Sequence, residues 1–201
     1  MYQLLESIKV RHNTLQHIVY HNNRVNHSRK LLFQSKHPWD LSEIIRIPEL
    51  DQNIIYRCRF LYAREPDGFE FIPFVPRVVQ KLYLVDCGDL DYSFKYSDRS
   101  ALEKLKNNIP DPELSDILLV KNGFITDTSF SNIALFDGSN WYTPSTPLLK
   151  GTKREYYIDN KIILKRNIKP ADLYKYRKAK LINAMLDLDD GEDIPVENIL
   201  S

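Results

Sequence analysis

The chain has little cysteine, little glycine and almost no excess of charge. Its two cysteines, Cys58 and Cys87, lie far apart and form no CxxC pair. That speaks against a disulfide framework or a zinc site and fits a reducing compartment. Its six glycines form neither GxxxxGK[ST] nor GxGxxG, so the common nucleotide cradles are unsupported. HExxH and GxSxG are missing too. Twenty-eight Lys and Arg against twenty-seven Asp and Glu leave a net charge of +1, which argues against a dedicated nucleic-acid binder. No apolar run approaches the ~20 residues of a membrane span. The charged start, MYQLLESIKV, has no signal-peptide core. The expectation is a cytoplasmic protein with no nucleic-acid or membrane partner.

What is present is a folded composition, 43% apolar over 201 residues. Residues 3–10 predict a strand, and Asn13-Thr14 offers an N-cap for a helix to about Phe33. On that helix His17, His21, Arg24 and Ser28 share a polar face. His17 and His21 have metal-ligand spacing but no third ligand, so a partly packed polar face is the preferred reading. A short helix is expected over 41–46. Period-two alternation marks a strand over 54–62, with Tyr56, Cys58, Phe60 and Tyr62 on its buried side. Asp67-Gly68 reads as a hairpin turn into 69–75, followed by a strand over 79–86.

Beyond Cys87-Gly88-Asp89, read as a linker, a helix is expected near 97–109, with Ser100 and Glu103 at capping-box spacing. Strands follow at 116–121, 124–127, 132–136 and 140–143, joined by Asn122-Gly123 and Asp137-Gly138. Gly151 opens a short helix. A strand (161–167), a helix from Pro170, a strand (180–185) and a solvated acidic loop (187–193) complete the reading. The fold class is α/β (α+β) in two lobes: a small domain over 1–86 and a larger one over 87–201.

Three segments carry candidate chemistry. Phe94-Lys95-Tyr96-Ser97-Asp98-Arg99-Ser100 places a lysine just before a helix, where an ammonium surrounded by positive charge becomes a nucleophilic amine more readily. Ile125-Thr126-Asp127-Thr128-Ser129-Phe130-Ser131-Asn132-Ile133 sets one carboxylate beside small donors, a set suited to a protonated heteroaromatic nitrogen. Pro147-Leu148-Leu149-Lys150-Gly151-Thr152-Lys153-Arg154 gives a helix start whose first N–H groups can hold an anion. Taken singly, each also reads as a surface lysine, a polar turn and an ordinary helix start.

In this order the segments resemble the class IV aminotransferase family, the fold-type-IV pyridoxal phosphate enzymes. Glu6-Ser7-Ile8-Lys9-Val10 is similar to the family's early strand, and His21 with Arg24 to its H-x-x-R. The resemblance runs from about Leu5 to Arg154 and continues weakly through Leu181-Ile182-Asn183-Ala184. It implies a two-lobed, D-amino acid aminotransferase-like fold with pyridoxal 5'-phosphate as cofactor. Lys95 is then the lysine that binds the cofactor covalently and shuttles protons. Asp127 pairs with the pyridine nitrogen; Arg24 and the backbone N–H groups of Thr152 and Lys153 hold the phosphate; Ser131 and Asn132 line its flank. Ser7 matches a position where lyase members carry a hydroxyl near the substrate. The residues depart from the family pattern at Asp127, commonly glutamate, at Thr128, often glycine, and at Lys153, often threonine. The first strand also comes almost at the start of the chain.

The reaction the resemblance implies is that of 4-amino-4-deoxychorismate lyase, giving 4-aminobenzoate and pyruvate. Ser7 and the compact chain favour it. The competing expectation is an aminotransferase for a branched-chain or D-amino acid, with Arg57, Arg59 and Arg77 as carboxylate candidates. A third is a scaffold that kept the fold without chemistry. The resemblance further implies a homodimer acting on a small-molecule amine, with no metal.

Overall fold

Alternation along β1 (Leu4–Arg11) puts Leu4, Glu6, Ile8 and Val10 on one buried face. β2 (Thr14–Leu15) returns along its end, and α1 (Ile18–Phe33) covers the sheet with His21, Val25 and Phe33. α2 (Leu41–Ile44) starts at Asp40, whose carboxylate accepts the Ser42 N–H at 2.9 Å. β3 (Tyr56–Tyr62) and β4 (Pro66–Pro73) complete a four-stranded sheet in the order β2-β1-β3-β4. Cys58, Phe60 and Tyr62 on β3 lie opposite Ile8, Glu6 and Leu4, so both strands feed one core with Val25 and Leu41.

In this computed structural model, which describes residues 2–201, that unit runs to Val75 and takes in Phe94–Asp98. The second unit holds Pro76–Ser93 and Arg99–Ser201. It consists of β5 (Lys81–Asp86), α3 (Ser100–Lys106), β6 (Ser115–Lys121), β7 (Phe124–Thr128), β8 (Asn132–Phe136), β9 (Trp141–Pro144), α4 (Thr152–Asp159), β10 (Ile163–Arg166), β11 (Lys178–Ile182), β12 (Ile194–Pro195) and β13 (Ile199–Leu200). Seven strands follow the order β10-β9-β8-β7-β6-β5-β13, while β11 pairs with β8 and β12. Leu82, Leu118, Ile125, Ile133, Leu135 and Ala179 are fully buried in its main core.

Several local expectations are corrected. The helix begins at Ile18, not at Asn13-Thr14, because His12 and Asn13 both take positive φ (50° and 54°) and form the tight turn between β1 and β2. Asp67-Gly68 is a bulge inside β4: the pairing shifts by one residue between Phe60↔Phe69 and Tyr62↔Pro66, with Gly68 at φ 110°. Ser100 is the first residue of α3 and Arg99 its cap, so no capping box forms. The helix entered at Pro170 is a 3₁₀ turn, Pro170–Lys175.

The division of the chain also differs from the expected break after residue 86. β5 pairs in parallel with β6 from Lys81↔Ser115 to Asp86↔Val120, which places it in the second unit. A strand pattern shows that residues 81–86 need a hydrogen-bonding partner but not which one. The connection from β5 to α3 passes through Phe94–Asp98, which returns to the first unit, so Lys95 lies on that detour.

Candidate active site

Within the first unit, one carboxylate gathers two side chains of α1. Glu6 occupies a core-facing position between Leu4 and Ile8 and is 0% exposed. His21 donates Nδ1–H to its Oε2 at 2.5 Å. Arg24, one turn further along, donates Nε–H to Oε1 at 2.8 Å and Nη2–H to Oε2 at 2.5 Å. Burial raises the Glu6 pKa, but Arg24 and His21 outweigh it and hold the carboxyl down at about 2. Burial is also the main reason the His21 imidazole stays below its ordinary range; Glu6 opposes this, while the charges of Arg24 and Lys95 add to it.

Lys95 is held by its backbone. Leu5 N–H donates to the Lys95 carbonyl at 3.0 Å, Ser97 N–H donates to Gln3 at 2.9 Å, and Tyr96 bridges to Leu4. Phe94 stacks on His27, and Tyr96 lies against Tyr2. The segment is thus tied to the β1 edge, with Lys95 half-buried. Ser7 lies opposite Arg59, on the sheet face away from Glu6. The first unit therefore groups Arg24 with Glu6 and His21 and places Ser7 on the other side of the sheet.

The second unit gathers the remaining candidates around Asp127. Its buried carboxylate accepts Asn132 Nδ2–H at 2.7 Å through Oδ1 and Leu149 N–H at 2.8 Å through Oδ2. Burial pushes the Asp127 carboxyl up to about 6, against these hydrogen bonds and the nearby Arg154 charge. Asn132 also donates to the Leu149 carbonyl at 2.9 Å. Ser131 Oγ accepts from Asn183 Nδ2–H at 2.8 Å. α4 starts at Gly151, where an added Cβ would come within 2.0 Å of Asn132 Oδ1.

Thr152 and Lys153 are the first residues of α4, both buried. Lys153 stands where a hydroxyl is frequent in the family, but its ammonium is turned to the Asp187 carboxylate and lies over the Tyr156 and Tyr157 rings. Tyr157 donates its hydroxyl to Asp187 at 3.1 Å and accepts Leu188 N–H at 3.0 Å. The acidic stretch is therefore not wholly a solvated loop: Asp187 fastens it to α4. Arg154 donates to the Pro144 carbonyl at 2.8 Å and pairs with Glu155.

Sequence reasoning missed Glu6, Asn183, Asp187 and the Leu149 amide. Only Glu6 carried a signal, a carboxylate in phase with the apolar series Leu4, Ile8, Val10. Asn183 and Asp187 reach their partners across 52 and 34 residues of sequence, beyond any spacing rule.

These donors fit pyridoxal phosphate. A buried carboxylate gripped on both oxygens retains lone pairs for a ring N–H. A helix start built on a glycine with no capping side chain suits a phosphate. Within the first unit, Arg24 is a cation of fixed orientation, of the kind that suits a phosphate.

Comparison with known proteins agrees. The family model for amino-transferase class IV matches residues 102–188. An uncharacterized protein of Haemophilus influenzae is 33% identical over 187 residues, covering 92% of this chain and 98% of its own. Among solved structures, a candidate 4-amino-4-deoxychorismate lyase from Haemophilus somnus 129pt superposes with TM-score 0.84 at 29% identity, covering 94% of this chain and 98% of its own. A hypothetical aminotransferase from Mycobacterium tuberculosis in its PLP-bound form shares the fold, with TM-score 0.74 at 19% identity over 98% of this chain and 81% of its own. The chain belongs to the class IV amino-transferase family, with its fold-type-IV architecture, and is an enzyme of that family's pyridoxal phosphate-dependent lyase and transferase kind.

Proposed function

We propose that this enzyme binds pyridoxal 5'-phosphate and converts 4-amino-4-deoxychorismate to 4-aminobenzoate and pyruvate. The observation that carries the reading is the likeness to the Haemophilus somnus protein over nearly the whole of both chains. The buried Asp127, braced by Asn132 and Leu149, supports the cofactor.

When bound, the cofactor supplies an electron sink for the carbon that bears the substrate amine. Asp127 holds the ring-nitrogen proton, and Asn132 fixes the carboxylate that does so. Arg24 and the Thr152 and Lys153 N–H groups bind the phosphate, and Ser131 and Asn132 line the flank. Lys95 would hold the cofactor and, once the substrate amine has displaced its own amine, would take the proton from the amine-bearing carbon as the carbon–oxygen bond to the enolpyruvyl group breaks. The departing group is protonated in turn and ends as pyruvate; the Ser7 hydroxyl that the resemblance offers for this relay lies on the sheet face opposite Arg24. Atoms balance without added water, because the proton lost at carbon is regained by the leaving group.

Purified protein titrated with pyridoxal phosphate should show a visible absorption band that borohydride abolishes and Lys95→Ala lacks. Turnover of 4-amino-4-deoxychorismate without a 2-oxo acid then supports the lyase. Turnover only of an amino acid with 2-oxoglutarate overturns it in favour of the aminotransferase, and absence of the band overturns the cofactor reading. The reading includes a homodimer, which light scattering tests, and a cytoplasmic setting in which the buried free thiols of Cys58 and Cys87 stay reduced.

A further inference from the structure

We propose that Glu6 and His21 are positioning residues for phosphate recognition: they hold the Arg24 guanidinium in the one orientation that presents its outer edge to the cofactor's phosphate. The proposal rests on the reading above that Arg24 binds this phosphate.

The geometry argues for it in three steps. A guanidinium carries five N–H groups in a rigid plane. Glu6 takes the Nε and Nη2 groups of Arg24 together, through both of its oxygens, and so fixes that plane. His21, itself buried, donates to the same Oε2 and holds the carboxylate from the opposite partner. The Arg24 side chain remains 13% exposed while Glu6 is fully enclosed and His21 is buried, so the arginine is the outermost member of the triad.

Stability alone does not call for this arrangement. Position 6 belongs to the apolar series Leu4, Ile8, Val10, and a well-packed apolar set replacing a buried ion pair is often as stable or more so. A polar triad where hydrophobic packing would suffice has its use at the arginine.

The test compares pyridoxal phosphate with pyridoxal, which lacks the phosphate, by spectroscopic titration of the full chain. Glu6→Gln keeps the shape and removes the charge. It should cut the preference for pyridoxal phosphate about tenfold and leave pyridoxal binding unchanged. In an Arg24→Ala background the same substitution should add nothing, because both act through one contact. His21→Asn removes only the brace and should give a smaller loss, about threefold, in the same ratio; it keeps the test decisive if Glu6→Gln does not fold. Equal weakening of both ligands, or additivity with Arg24→Ala, would reduce the triad to a structural ion pair and overturn the proposal. If Arg24→Ala itself leaves the preference intact, the phosphate role of Arg24 fails and the proposal with it. If Arg24→Ala abolishes the preference while Glu6→Gln and His21→Asn do not change it, positioning alone fails.

Discussion

Asn132 occupies the space that a side chain at residue 151 would need. Gly151 has φ −69°, a backbone any residue adopts, yet a Cβ there would lie 2.0 Å from Asn132 Oδ1. The glycine is required by this close approach and not by its torsion. The same Asn132 amide ties Asp127 to the Leu149 carbonyl, so three parts of the candidate cofactor site meet at one side chain.

Gly151→Ala should therefore displace Asn132 and loosen both Asp127 and the α4 start. Overpacking of this kind costs about 2 kcal/mol, a fall of roughly 5 °C in melting temperature for a chain of this size. Pyridoxal phosphate affinity should fall with it. Calorimetry and the visible titration check the two effects together.

Asn132→Ala removes the donor to Asp127 Oδ1 without a steric clash. Losing a hydrogen bond to a charged, buried group costs about 2 kcal/mol, and the Asp127 carboxyl should titrate still higher. The expected result is a weaker cofactor complex at pH 7 that recovers partly at higher pH. A pH series of titrations measures it.

Asp127 also sets a sign for pH dependence. Its folded-state pKa, about 6, lies above the ordinary 3.8, so the folded cofactor-free protein takes up a proton more readily than the unfolded chain. Stability from this group is greatest at low pH and falls as pH rises from about 4 to about 6, by about 3 kcal/mol in all. Glu6 works the other way: with its pKa lowered from 4.5 to about 2, it contributes stability above pH 4.5 that is lost as pH falls toward 2. Urea denaturation of Asp127→Asn and Glu6→Gln against pH should show opposite slopes relative to the parent protein. Cofactor affinity should fall below pH 6 as Asp127 takes up its proton.

Lys153 and Asp187 form an ion pair with one buried and one half-open end, 2% and 32% exposed. Asp187→Asn removes the negative charge that faces the buried ammonium and should cost about 2 kcal/mol, while Lys153→Met loses less because the carboxylate can turn to water. The double variant should recover part of the Asp187→Asn loss. A double-mutant cycle by thermal unfolding measures the coupling.

The candidate site was legible only as an ordered set. Lys95, Asp127, Asn132 and the Gly151-Thr152-Lys153 helix start could be named because their segments, in that order, resemble a known family, while each taken singly also fits a surface lysine, a polar turn or an ordinary helix start. Strands expected over 54–62, 116–121 and 132–136 formed with their ends within two residues, the first marked by alternation and the others by the Asn122-Gly123 and Asp137-Gly138 turns, all of them local signals. Other turns were less legible: His12-Asn13 carries neither glycine nor proline, and Asp67-Gly68 serves a bulge as readily as a hairpin.

The sequence by itself determined which face of β1 is apolar and where the Asn122-Gly123 and Asp137-Gly138 turns fall, since both depend on neighbours within a few positions, and it supplied candidates for the chemistry. Only the tertiary structure decided that β5 pairs with β6 and that Lys95 returns to the β1 edge. It also decided that Glu6 closes on His21 and Arg24, and that Lys153 spends its charge on Asp187. Strand pairing and buried ion pairs join groups far apart along the chain. Their energy depends on distance and burial, which no local pattern of residues encodes.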